Sequence, residues 1–125
     1  MEERGELFSY RNLQAYQSSK QLVTDIYCLL QHFPKEETYS LCDQLRRAVV
    51  SLPSNIAEGM GRISNKEKVH FIEIAYSSLM EVYCQIQLAN DLHYITNSDF
   101  ENIKPLIEDN AKLLSGLRNN FIKNK

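Results

Sequence analysis

The distribution of apolar residues along the chain predicts four amphipathic helices. Apolar positions recur at spacings of three and four, which is the period of an α-helix that buries one face. The predicted helices cover residues 12–31, 37–58, 65–92 and 99–119. The breaks between them are too short to divide the chain into domains. We therefore expect one domain over residues 1–125, all-α, folded as an up-down-up-down antiparallel four-helix bundle.

Local sequence signals mark the predicted helix ends. Residues 64–67 and residues 98–101 both read Ser-x-x-Glu, which is the spacing of a capping box at a helix start. We therefore expect these two runs to open the third and fourth helices. Gly59 or Gly61 is suited to the left-handed conformation that closes many helices, so we expect one of them to end the second helix this way.

The third predicted helix carries more apolar surface than the core of one bundle can use. On a projection of 100° per residue, Ile74, Ser77, Glu81 and Leu88 fall nearly opposite its main apolar seam. A helix with two such faces is central, either in a large protein or in an oligomer. A chain of 125 residues excludes the large protein, so we expect an oligomer. The main seam consists of Ile72, Ala75, Leu79, Val82, Ile86 and Ala89.

The second predicted helix carries a narrow polar stripe beside its apolar face. A solvated flank would explain it, because polar residues commonly border a core. An ordered hydrogen-bond network at a subunit contact would also explain it, and the short Ser and Asn side chains favour that alternative. We expect the stripe to serve structure rather than catalysis. Its members are Gln44, Arg47, Ser51, Asn55 and Glu58.

Glu81 lies on the second face of the third predicted helix. A carboxylate at a subunit contact needs a cation or several donors. Arg46 or Arg47 of the second helix is the candidate partner.

The charge composition bears on nucleic-acid binding. Fourteen Lys and Arg oppose sixteen Asp and Glu, so the net charge of −2 gives no basic field over the whole domain. Arg62, Lys66 and Lys68 nevertheless cluster with Arg46 and Arg47 around the corner between the second and third helices. An ordinary mixed-charge corner explains them, but an oligomer could gather such residues into a ring that contacts nucleic acid.

Residues with catalytic or metal-binding chemistry form no recognisable site. A di-metal bundle needs two Glu-x-x-His pairs, and this chain has one, Glu67 with His70. No nucleophile and base can be paired from the sequence, so we expect no enzymatic activity, no cofactor and no metal. The three cysteines are odd in number and form no CxxC. With no signal-peptide pattern and no long apolar run, this indicates a cytoplasmic protein.

Three runs along the second helix carry a resemblance to a known family. Residues 33–37 read Phe-Pro-Lys-Glu-Glu, residues 44–48 read Gln-Leu-Arg-Arg-Ala and residues 51–59 read Ser-Leu-Pro-Ser-Asn-Ile-Ala-Glu-Gly. This pattern resembles the bacterial 23S rRNA intervening-sequence proteins, and the similarity covers about residues 13–95.

The resemblance implies a bundle that assembles into a homopentamer with a central channel and has no established enzymatic activity. A similar bundle, the accessory protein of diversity-generating retroelements, is strongly basic and engages nucleic acid. The expected function is therefore that of an oligomeric scaffold or adaptor. The alternative is a nucleic-acid-binding accessory protein that uses a pentameric ring, which a net charge of −2 disfavours.

Overall fold

The computed structural model describes residues 7–123, which form four long α-helices and two short 3-10 turns. Each helix packs against the next one along the chain, and the last packs back against the first. The predicted fold class, an all-α four-helix bundle, is confirmed. The helices are α1 (Gln14–Leu30), α2 (Leu41–Met60), α3 (Asn65–Asp91) and α4 (Asn97–Lys123), and the 3-10 turns are Ser9–Asn12 and Lys35–Glu37.

The predicted cap of α3 is present, and the cap of α4 lies elsewhere. The Ser64 hydroxyl accepts a hydrogen bond from the Glu67 backbone N–H at 3.1 Å. At α4, the Thr96 hydroxyl accepts from the Asp99 N–H at 2.9 Å, and the Asp99 carboxylate accepts from the Thr96 N–H at 3.2 Å. The capping box of α4 is therefore residues 96–99 and not residues 98–101.

The expectation of a left-handed glycine at the end of α2 is wrong. Gly61 has a φ of −81°, and among residues 7–123 no glycine has a positive φ. The left-handed residue is His93, with a φ of 64°, just after α3. There the Tyr94 N–H donates to the Ala89 carbonyl at 2.9 Å and the His93 N–H donates to the Asn90 carbonyl at 3.0 Å. This is the Schellman pattern, with His93 in the place that glycine usually takes.

The four apolar faces meet in one core. Every residue of the predicted α3 seam is buried, and Leu22, Ile26, Leu52 and Leu114 face it from the other helices. Asn110 is buried in α4, where its amide donates to the Leu106 carbonyl and to Ser18 of α1. A buried amide costs stability unless it is bonded, so these contacts explain how α4 tolerates it.

The two connections at one end of the bundle are tied together by Glu37 and Tyr94. The Tyr94 hydroxyl donates to one Glu37 carboxylate oxygen at 2.9 Å. The other oxygen accepts from the Ser40 hydroxyl at 2.9 Å and from the Leu41 N–H at 3.2 Å. The bonds from Ser40, Tyr94 and Leu41 lower the pKa of Glu37, and the bond to Glu37 raises the pKa of Tyr94. Because the carboxylate accepts the first N–H of α2, that helix begins at Leu41 rather than at residue 37.

Candidate interface and basic corner

Polar side chains of α2 and α3 bond to each other along one side of the bundle. The Ser51 and Ser78 hydroxyl oxygens lie 2.9 Å apart, and the Asn55 amide donates to the Ser51 hydroxyl and carbonyl oxygens at 2.8 Å each. Farther along, the Gln85 amide donates to the Gln44 carbonyl oxygen at 3.1 Å. We call these five residues the polar seam. It joins α2 to α3 within one chain, so the structure brings Gln44, Ser51 and Asn55 of the predicted stripe into one network.

The two charged residues of the predicted stripe lie outside the polar seam. Arg47 pairs with Asp43 one turn earlier at 3.4 Å, and Glu58 pairs with Arg62 one turn later at 3.4 Å. Both are ion pairs between partly or fully exposed side chains on the surface of the bundle. Such pairs contribute about 0–1 kcal/mol, so the solvated-flank interpretation fits these two positions.

Glu81 and Arg46 have partners other than those expected. The Glu81 carboxylate is exposed and accepts from the Gln85 amide at 3.2 Å. The Arg46 guanidinium donates to the Thr38 carbonyl at 2.8 Å and so holds the connection that leads into α2. Within this chain, therefore, neither Arg46 nor Arg47 forms the expected pair with Glu81.

Two members of the polar seam, Ser78 and Gln85, are absent from the predicted set of network residues. Gln85 is only 6% exposed although it is polar, and its carbonyl oxygen has no partner among the described residues. Both residues face the polar stripe of α2 only in the register that the two packed helices adopt, so α2 alone gives no signal for them.

The second face of α3 is left uncovered by the other helices. Ser77, Glu81, Cys84 and Leu88 fall within one narrow strip and are all exposed, and Met80 borders the strip. We call these five residues the outer α3 stripe. The Leu88 side chain is 46% exposed and that of Met80 is 44% exposed. The sequence predicts this face to be a subunit contact and includes Ile74 in it, but Ile74 is half-buried within the chain.

Arg46 and Arg47 lie near the start of α2, in the other half of the molecule, so the expectation that they join the corner between α2 and α3 is wrong. Of the three cations that do lie at the corner, two stabilise it. The Lys68 ammonium donates to the Met60 and Arg62 carbonyls, which hold the turn. The Arg62 guanidinium lies 4.7 Å from the centroid of the Phe71 ring, a cation–π distance. Lys66 is exposed to solvent. Of the predicted nucleic-acid contacts, Arg62 and Lys68 thus also stabilise the fold.

Charge is unevenly divided between the two ends of the bundle. The Ser51–Ser78 contact lies near mid-height and separates the described residues into two halves. The half with the corner carries eight Lys and Arg and five Asp and Glu, over residues 7–22, 51–78 and 106–123. The other half carries four Lys and Arg and eight Asp and Glu, over residues 23–50 and 79–105. The near-neutral chain therefore has a basic end and an acidic end.

The described residues, 7–123, contain neither clustered metal ligands nor a helix that could cross a membrane. No group of three His, Cys, Asp or Glu in this range could hold a metal ion. None of these helices combines the length and the apolar character that a bilayer crossing requires. Cys42 is buried, which raises the pKa of its thiol, and Cys28 and Cys84 are free and exposed.

The molecule is thus an all-helical bundle with short connections between its helices. The family model described as 23S rRNA-intervening sequence protein matches residues 11–116, and the chain belongs to this family. The family resemblance seen in the sequence is therefore confirmed.

One solved structure supports the fold independently. It is described as a protein of unknown function from the S23 ribosomal protein family of Bacteroides thetaiotaomicron. It superposes with a TM-score of 0.77 at 22% identity, over 83% of this chain and 97% of that chain. Comparison with curated proteins gives no match.

Proposed function

We propose that this chain is a non-enzymatic cytoplasmic protein that assembles with copies of itself, as a homopentamer, and acts as a scaffold or adaptor. The outer α3 stripe carries the proposal. It lies on α3, opposite a fully buried seam, and it contains large apolar side chains. A partner that covers Met80 and Leu88 would remove apolar area from water, which is the main driving force for association.

The chemistry of the stripe favours a second copy as that partner. Leu88 and Met80 supply the apolar contact, while Ser77 and Glu81 can bond across a subunit contact. The polar seam fixes α3 against α2 beside the stripe, so the helix that carries the stripe has a defined position in the bundle. Rigid presentation lowers the entropic cost of association.

Light scattering coupled to size exclusion tests the assembly. We expect a mass several times the 14.5 kDa of one chain, with five subunits as the specific expectation. Leu88→Glu should lower that mass because it places a charge in the apolar part of the contact. Ile122→Glu is the matched control, since Ile122 is an apolar residue of α4 with the same 46% exposure as Leu88. A wild-type monomer at micromolar concentration, or an unchanged mass for Leu88→Glu, would contradict the proposal.

A second candidate function, nucleic-acid binding, is favoured by the separation of charge along the bundle. In a ring whose subunits all point the same way, the basic ends would lie on one rim and add their charges. A rim of this kind attracts phosphate backbones through release of counterions. The net charge of −2 then has less weight, because eight of the thirteen Asp and Glu among the described residues lie in the opposite half.

Binding of a labelled RNA duplex of about 20 base pairs tests this second candidate. Lys66→Glu, at the exposed corner, should weaken binding and reduce its dependence on salt. Lys35→Glu makes the same change of charge in the acidic half and should have little effect. Equal effects of the two variants, or no binding by the wild type at low salt, would contradict it.

A further inference from the structure

A polar cleft lies where the first 3-10 turn folds against α1. It has a volume of about 490 Å³, which is within the range of small-molecule sites. The Gln17 amide donates to the Arg11 carbonyl at 3.2 Å and fixes the turn to the helix. The Tyr10 and Tyr16 rings meet edge to face with centroids 5.0 Å apart. The walls of the cleft are thus held by contacts between the turn and α1.

The residues of this cleft combine three kinds of chemistry. Arg11 and Lys20 are exposed cations, and the Lys20 ammonium lies 5.6 Å from the centroid of the Tyr16 ring. Gln17 and Gln21 supply carboxamides, and Tyr10 and Tyr16 supply aromatic rings. None of the described residues that line the cleft is an Asp or a Glu. The Asp25 carboxylate accepts from the Gln21 amide at 2.9 Å and so bonds to one lining residue of the cleft.

This combination selects for a particular class of ligand. Guanidinium and ammonium groups without an opposing carboxylate favour a phosphate. Aromatic rings favour a planar base, and base–aromatic stacking is tolerant of sequence because every base has a π-face. Carboxamides can donate to and accept from the edges of a base. A simple anion such as sulfate would contact only the cations, whereas a nucleoside phosphate would also contact the carboxamides and the rings.

We propose that the cleft formed by Tyr10, Arg11, Tyr16, Gln17, Lys20 and Gln21 binds a nucleoside phosphate. The phosphate lies against Arg11 and Lys20, and the base lies against a tyrosine ring. The same chemistry is offered by a free mononucleotide and by one residue of a single-stranded nucleic acid. The inference does not depend on assembly, since every residue that it uses belongs to one chain.

Fluorescence anisotropy on the full chain tests the cleft with two probes, a labelled mononucleotide and a labelled oligothymidylate. Lys20→Glu should weaken binding of the tighter probe by about tenfold or more, because it replaces a charged donor with a repelling carboxylate. Tyr10→Leu keeps the apolar bulk but removes the ring, and should weaken binding by about fivefold or more. Comparable affinity for the two probes identifies a free nucleotide as the ligand, and tight binding of the oligothymidylate alone identifies a strand.

Lys112→Glu is the control that separates the cleft from the general charge of the basic end. Lys112 is an exposed residue of α4 in the same half of the molecule, and it does not line this cleft. It should change the affinity by less than about twofold. The proposal is overturned if the wild type binds neither probe, or if Lys112→Glu weakens binding as much as Lys20→Glu does. Circular dichroism and light scattering on each variant confirm that fold and assembly are retained, so failure of the cleft is distinguishable from failure of the assembly.

Discussion

The role of Gly59 is explained by Phe71, which lies opposite it in α3. It sits inside α2 and is buried, and a Cβ built on it would lie 2.8 Å from the Cβ of Phe71 in α3. Real Cβ atoms do not approach this closely, and the Phe71 Cβ is fixed to the backbone. The absence of a side chain at Gly59 therefore sets how closely α2 and α3 approach each other.

We expect Gly59→Ala to destabilise the bundle although alanine is the better helix former. The intrinsic preference for alanine is worth about 1 kcal/mol, whereas overpacking a tight contact costs about 1–3 kcal/mol. Gly116 provides the control, because nothing lies within 4 Å of a Cβ built there in α4. Gly116→Ala should stabilise by up to about 1 kcal/mol. Urea unfolding measures both changes, and a gain in stability for Gly59→Ala would contradict the close-approach argument.

Some features of single residues could be predicted from the sequence, and others could not. The α3 seam was predicted at every position because burial follows a period that is visible in the sequence. His93 was not predicted to be left-handed, since glycine or asparagine is the usual residue there. Conversely, α2 ends without a left-handed residue because the Gly61 and Arg62 N–H groups bond to carbonyls three residues back. Which ending a helix adopts depends on where the next helix must begin.

The start of α4 shows how two similar capping signals compete. Residues 96–99 and 98–101 both have capping-box spacing, and only the first is used. Ile95 and Phe100 explain the choice, because both are buried and they occupy the positions of a hydrophobic staple around a cap at Thr96. The apolar residues that flank a cap, and not the cap alone, therefore decide where α4 starts.

The polar seam was predictable only in part for a related reason. A projection of one helix shows that a polar stripe exists but not which neighbour it faces. Gln44, Ser51 and Asn55 could be named from α2, whereas Ser78 and Gln85 required the register between α2 and α3. That register comes from core packing along the whole length of both helices, which short-range patterns do not contain.

In the whole molecule, the antiparallel arrangement of the helices brings basic residues that are scattered along the sequence to the same end of the bundle. Arg11, Lys66 and Lys123 are far apart in sequence but share one end of the bundle. A window along the chain, such as residues 41–75, holds five Lys and Arg against four Asp and Glu and so shows no polarity of charge. The basic end and the cleft were therefore not visible before the fold was known. The proposed oligomer is harder still to predict, because it depends on contacts between the surfaces of several chains.

The contact between Glu37 and Tyr94 joins two connections of the bundle, so it should make global stability depend on pH. Because the folded state lowers the pKa of Glu37 from its ordinary 4.5, this contribution is present above pH 4.5 and is lost as the pH falls through the lower folded value. Because the folded state raises the pKa of Tyr94 from its ordinary 10.0, its contribution is present below pH 10.0 and is lost as the pH rises toward the higher folded value.

We expect Tyr94→Phe to lower the melting temperature most between these two limits. Phenylalanine keeps the ring that packs 5.5 Å from Phe33 and removes only the hydroxyl that bonds to Glu37. The difference from the wild type should shrink below about pH 4.5 and above about pH 10, where one partner has gained or lost its proton. Tyr39→Phe is the control, because Tyr39 is 91% exposed and its loss of a hydroxyl should leave the melting curve unchanged. Thermal unfolding followed by circular dichroism across this range measures the effect. A difference that stays constant from acid to alkali would show that the hydroxyl stabilises the fold through some contact other than the one with the Glu37 carboxylate.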